Sequence, residues 1–69
     1  MEELDKQVRL HVIDEKVLVI QRGIDLLQNK VDLGLTNKEG APSYATIIED
    51  ETLKKHALLE YRKSIEQEQ

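Results

Sequence analysis

The chain contains no cysteine, tryptophan or phenylalanine. The absence of cysteine excludes disulfide bonds, thiol catalysis and thiolate metal ligands. Because the only aromatic residues are two tyrosines, a core must consist almost entirely of leucine, isoleucine and valine. A chain of 69 residues forms one domain at most. Domains of this size need additional support, from a partner subunit or from very regular helix packing.

Long apolar segments and an excess of positive charge are also absent. The longest aliphatic run covers only residues 17–20, far short of a membrane span. Residues 1–10 lack the basic start and continuous apolar core of a secretory signal. The formal net charge is −4, which argues against extended contact with a phosphate backbone. These features predict a soluble cytoplasmic protein without a membrane segment.

Glycine and proline are concentrated in one segment, GLTNKEGAPSYA, which holds two of the three glycines and the only proline. This composition predicts a loop. Gly34 is placed to end a helix in the left-handed conformation, and a second helix must start after Pro42, with Ser43 or Thr46 as its N-cap. The predicted architecture is a single helical domain, residues 1–69, with a helix at about 3–33, a loop at about 34–45 and a helix at about 46–66.

Seven aliphatic residues recur in alternating steps of three and four along the first segment. We call them the first stripe: Leu10, Ile13, Val17, Ile20, Ile24, Leu27 and Val31. This spacing is typical of a helix that docks along a narrow coiled-coil seam. A β-hairpin over residues 8–20 is the competing interpretation, since residues 8–12 alternate between apolar and polar. The alternation fails at residues 12–13 and 17–20, so the helix is favoured.

A second set of aliphatic residues lies about 200° around the same helix at 100° per residue. We call it the second stripe: Leu4, Val12, Leu18, Val19, Leu26 and Leu33. Glu15 and Arg22 interrupt the surface between its members. A helix that is apolar on two faces needs two partners. We expect the second helix to cover the second stripe, with intrachain packing through Val12, Leu18, Val19, Leu26, Leu33, Ile48, Leu58 and Tyr61.

The first stripe is then left for a second copy of the chain. Residues 1–35 hold fifteen leucine, isoleucine and valine residues and residues 36–69 hold six, so one second helix is too thin to cover both stripes. The fold predicted is an all-α helical hairpin that forms a coiled-coil-like homodimeric four-helix bundle. A charge pair between Arg9 and Asp14 slightly favours parallel pairing, while antiparallel pairing and higher oligomers remain open.

Residues with catalytic or metal-binding potential are few. The pairs His11–Glu15 and His56–Glu60 have helical spacing but lack a third ligand, so surface ion pairs are the favoured interpretation. No catalytic residue, cofactor site or metal site is predicted.

The predicted function is a non-enzymatic protein–protein interaction module, such as a regulator, adaptor or assembly subunit, that acts as a homodimer and has a further protein partner of unknown identity. The alternative is a nucleic-acid-associated regulatory protein, which would use the basic residues of the second helix: Lys54, Lys55, Arg62 and Lys63.

Overall fold

The computed structural model describes residues 2–68 and shows two helices joined by a loop. Helix α1 spans Glu2–Asp32 and helix α2 spans Tyr44–Glu66. The two helices lie antiparallel in a hairpin of 50 × 17 × 14 Å. No strand occurs within residues 2–68. The all-α hairpin is therefore confirmed, and the β-hairpin alternative for residues 8–20 is wrong.

Helix α1 ends at Asp32, and Gly34 caps this end as the sequence predicts. The Gly34 N–H donates to the Val31 carbonyl at 2.9 Å, and the Leu35 N–H donates to the Lys30 carbonyl at 3.0 Å. These two bonds form a Schellman motif, which satisfies carbonyl groups left open at a helix end. Gly34 has a φ of +78°, a conformation in which a side chain would be strained.

Helix α2 begins with Ser43 as its N-cap. The Ser43 hydroxyl accepts a hydrogen bond from the Thr46 backbone N–H at 3.2 Å. The helix therefore starts at Tyr44, two residues earlier than the predicted start at about residue 46. Thr46 lies inside the first turn, where its hydroxyl is 2.9 Å from the Ser43 hydroxyl.

Hydrogen bonds within the loop hold its backbone in place. The Asn37 side-chain amide donates to the Pro42 carbonyl at 2.9 Å, and its oxygen accepts from the Lys38 N–H at 2.9 Å. The Ala41 N–H donates to the Lys38 carbonyl, which closes a turn with Gly40 at a φ of +84°.

The first stripe packs against α2 of the same chain. Ile13 is 5% exposed, and on α2 Ile65 is 1% exposed. Only Val31, at the loop end, is exposed among the first stripe, and the members other than Ile13 and Val31 are half-buried. The sequence assigned these residues to an oligomer interface. The structure corrects this assignment for Leu10, Ile13, Val17, Ile20, Ile24, Leu27 and Val31.

The second stripe is exposed, and its predicted packing against α2 is wrong. The residues concerned are Val12, Leu18, Val19, Leu26 and Leu33, together with Tyr61 on α2. Ile48 and Leu58, which the sequence assigned to the same packing, are half-buried. The physical reason is continuity: the first stripe offers an aliphatic residue at every step, whereas Glu15 and Arg22 interrupt the second.

Truncating the core should destabilise the hairpin much more than truncating its surface. We expect Ile65→Ala to lower the free energy of unfolding by about 2–4 kcal/mol, because Ile65 is almost fully buried. The control is Leu53→Ala, whose side chain is 61% exposed and should change that free energy by less than about 0.5 kcal/mol. Urea unfolding followed by circular dichroism measures both, and equal effects would contradict the described core.

Two glycine-to-alanine substitutions should change the free energy of unfolding in opposite directions. Gly34→Ala should lower the free energy of unfolding by about 1 kcal/mol, because alanine is strained at this positive φ. Gly23→Ala should raise it by about 0.5–1 kcal/mol, because Gly23 lies inside α1 and an added Cβ would meet no atom within 4 Å. Thermal unfolding of the two variants tests the pair, and a stabilising Gly34→Ala would contradict the left-handed helix end.

Candidate functional site

The face that α2 turns toward α1 contains charged residues. Its buried and half-buried members recur in steps of four and three: Tyr44, Ile48, Glu51, Lys55, Leu58, Arg62 and Ile65. Long basic side chains can cover apolar surface with their methylene groups while the charged ends reach polar partners. A hydrophobicity pattern alone assigns such residues to the solvent, and for this reason the sequence did not identify this face of α2.

Polar contacts join the two helices along one edge of the hairpin, which we call the polar edge. Arg62 binds Asp14 through two bonds, with Nε 2.6 Å from Oδ1 and Nη2 3.2 Å from Oδ2. Arg62 also pairs with Glu66, one turn further along α2. Lys55 Nζ donates to the Gln21 side-chain oxygen at 2.8 Å. Arg62 and Lys55 are seven residues apart on α2, and Asp14 and Gln21 are seven residues apart on α1. The two contacts therefore lie on the same edge of the hairpin.

The Arg62–Asp14 contact changes the protonation behaviour of both groups. The hydrogen bond from Arg62 is the main cause that lowers the pKa of Asp14, and the positive charge adds to it. The same hydrogen bond raises the pKa of Arg62. Both groups therefore remain charged over a wider pH range in the hairpin than in the unfolded chain.

A second charged cluster closes the end of the hairpin away from the loop. Lys6 Nζ donates to the carbonyl groups of Glu66 at 3.2 Å and Glu68 at 3.0 Å. These carbonyls lie at the C-terminal end of α2, where intrahelical donors run out. Arg9 binds the Glu68 carboxylate, with Nη2 2.8 Å from Oε2. This hydrogen bond lowers the pKa of Glu68.

These contacts use most of the basic residues on which the nucleic-acid alternative depends. Lys55 and Arg62 are turned toward α1, and Lys54 pairs with Glu51 at 3.1 Å. A phosphate backbone requires cations that are clustered and accessible. The structure therefore adds no support to that alternative. Arg9 and Asp14 likewise pair within the chain, which removes the charge argument for a parallel dimer.

The histidine pairs show no ligand geometry. His11 Nε2 lies 4.0 Å from Glu15 Oε1, and both side chains are largely exposed. Across residues 4–68, histidine and carboxylate side chains do not gather in groups of three that could hold a metal ion. In the same range neither helix combines the length and the apolar character that a membrane span requires.

No known protein family, curated protein or solved structure matches this chain.

The second stripe is an apolar surface of α1 that α2 does not cover. Its members Val12, Leu18, Val19, Leu26, Leu33 and Leu4 all have large exposed fractions, and Val8 extends it within the first turns of α1. Two shallow apolar depressions lie beside it, one between Val8, Val12 and Tyr61 and the other between Val19, Ile20 and Leu58. The candidate functional site is therefore an apolar surface on the outer side of α1.

Acidification should weaken the hairpin through Asp14. Because the folded-state pKa of Asp14 is lowered, its contribution is fully present above the unfolded pKa of about 4 and is lost as the pH falls through the folded pKa. We expect the unfolding temperature to drop as the pH falls from about 5 to about 2, and to drop less in Asp14→Asn. Asp50→Asn removes the same charge from an exposed site and should lose as much stability on acidification as the unsubstituted chain. Equal pH dependence in all three proteins would exclude the Asp14 contribution.

Proposed function

We propose that this chain is a non-enzymatic protein–protein interaction module that associates with a second copy through the second stripe of α1. The observation that carries the proposal is the exposure of that stripe from Leu4 to Leu33. At 1.5 Å per residue these positions span about 43 Å along the helix. Soluble monomers rarely leave an apolar surface of this extent open to water.

The polar groups of the hairpin support a structural role over a catalytic one. Those that converge across the two helices, at Asp14–Arg62 and Gln21–Lys55, satisfy one another. A catalytic site instead aims polar groups into a concave pocket where a substrate can meet them. The depressions beside the second stripe are shallow and mainly apolar, a character that suits side chains of a docked helix.

The dimer that follows differs from the one predicted from the sequence. The first and second stripes point about 150° apart at 100° per residue. Pairing the second stripes places the two α1 helices at the centre and the two α2 helices outside. This arrangement gives each face of α1 a partner: α2 of its own chain on one side and α1 of the second copy on the other. It retains the predicted four helices and exchanges the roles of the two stripes.

A charge placed on the second stripe should dissociate the dimer without unfolding the hairpin. We expect about 16 kDa for the unsubstituted protein in sedimentation at high micromolar concentration, twice its 8.0 kDa chain mass. Val19→Asp should give 8.0 kDa with an unchanged helical spectrum, because Val19 is 63% exposed in the hairpin and a buried, unpaired carboxylate opposes association.

The matched control is Leu53→Asp, at a side chain that is 61% exposed on α2 and lies outside the proposed interface. It should remain dimeric. Ile20→Asp, on the first stripe, should instead reduce the helical signal, because Ile20 packs inside the hairpin. A monomeric unsubstituted protein would refute the proposed self-association.

A further inference from the structure

The second stripe belongs to a heptad seam that includes two opposite charges. Val12, Val19, Leu26 and Leu33 recur every seven residues and form one row of the seam. A second row, offset by three or four residues, contains Val8, Glu15, Arg22 and Asn29. Alternating steps of three and four are the pattern by which two helices pack along each other. The centre of the second row is therefore a glutamate followed, seven residues later, by an arginine.

Glu15 and Arg22 do not pair with each other inside one chain. Seven residues separate them by roughly 10 Å along the helix axis, or two turns. Glu15 is exposed and has only the 4.0 Å contact with His11. Arg22 is exposed and forms no ion pair with the residues that the structure describes. Both charges are thus available to a molecule that covers the seam.

The direction of pairing decides what these two charges meet. In a parallel dimer in register, Glu15 faces Glu15 of the partner subunit and Arg22 faces Arg22 of the partner subunit, so both contacts are repulsive. In an antiparallel dimer whose two-fold axis passes between residues 20 and 21, Glu15 of each copy lies within one turn of Arg22 of the partner subunit. The two-fold axis makes this attractive contact twice.

We propose, on the basis of the self-association above, that the second copy docks antiparallel along α1, with Glu15 and Arg22 forming reciprocal ion pairs across the seam. The same alignment sets Val8 close to Leu33 of the partner subunit. Apolar residues then meet at both ends of the seam, and the charges meet near its centre. The charged interruption of the second stripe selects the orientation of the partner, while the aliphatic residues supply the association.

Charge reversal tests the orientation. In the antiparallel dimer Glu15→Arg sets two arginines against each other across the seam, and Arg22→Glu sets two glutamates against each other. Each single variant should raise the dimer dissociation constant by about tenfold. The double variant Glu15→Arg/Arg22→Glu restores opposite charges and should return the constant to within about threefold of the original.

A parallel dimer predicts a different pattern. Each charge there meets its own copy, so the single variants and the double variant keep like charges in contact and should all dissociate at similar concentrations. Sedimentation equilibrium of the four proteins distinguishes the two patterns. The antiparallel pairing would be overturned if the single variants dimerised as tightly as the original protein. It would also be overturned if they dimerised more weakly and the double variant did not regain the original affinity.

The absence of cysteine permits a second, direct test by disulfide formation. Val8→Cys and Leu33→Cys are made as separate proteins, mixed and mildly oxidised. A disulfide requires Cα atoms within about 7 Å. We expect cross-linked dimers that contain one chain of each variant and little cross-linking of either variant alone.

Each alternative has its own outcome. Cross-linking of each variant with itself indicates a parallel dimer and overturns the orientation, but leaves the proposed self-association intact. A dimer that forms no disulfide in any mixture also overturns the antiparallel orientation. A protein that sediments as a monomer before any substitution refutes the proposed function itself.

Discussion

The structure depends on one constraint: helix α1 is apolar on two faces, and the chain supplies only one helix to cover them. Helix α2 covers the continuous face, on which every step of the heptad carries an aliphatic side chain. The interrupted face remains open to water. Burial of apolar surface is the main favourable term in folding and in association, and for this reason we propose that the interrupted face of the same helix binds a second copy.

The polar edge favours one alignment of α1 and α2 along each other, a choice that the aliphatic residues do not make. A uniform heptad of leucine, isoleucine and valine can slide by seven residues with little loss of packing. Arg62 on Asp14 and Lys55 on Gln21 fit in one alignment of the helices. Exposed ion pairs contribute little to stability, so their main effect is to select the alignment. The charged residues that make α2 a poor apolar partner therefore determine how it docks.

The sequence predicted the local structure well and the partners of each face poorly. The helix over residues 8–20 and the left-handed end at Gly34 follow from short-range chemistry, and both are confirmed. The sequence left the N-cap open between Ser43 and Thr46, and Ser43 is the residue that caps α2. Periodicity identifies which residues share a face, but it does not say what covers that face. Arg62 was assigned to a possible nucleic-acid surface, whereas it binds Asp14 of α1. Arg62 points toward α1 because Asp14 lies opposite it. This is a tertiary contact, which sequence patterns do not encode.

In an antiparallel hairpin, the entropy lost on forming a contact between the two helices increases with the distance of that contact from the loop. Near the loop, Lys30 lies over the Tyr44 ring at 5.5 Å, and few residues separate the two in sequence. Lys55 and Gln21 are 34 residues apart, and Arg9 and Glu68 are 59 apart. The entropy lost on joining two positions rises with the logarithm of the intervening chain length. Once the loop has formed, each inner contact shortens the chain that the next contact must close. We therefore expect the contacts near the loop to form first and the charge contacts at the far end of the hairpin to form last.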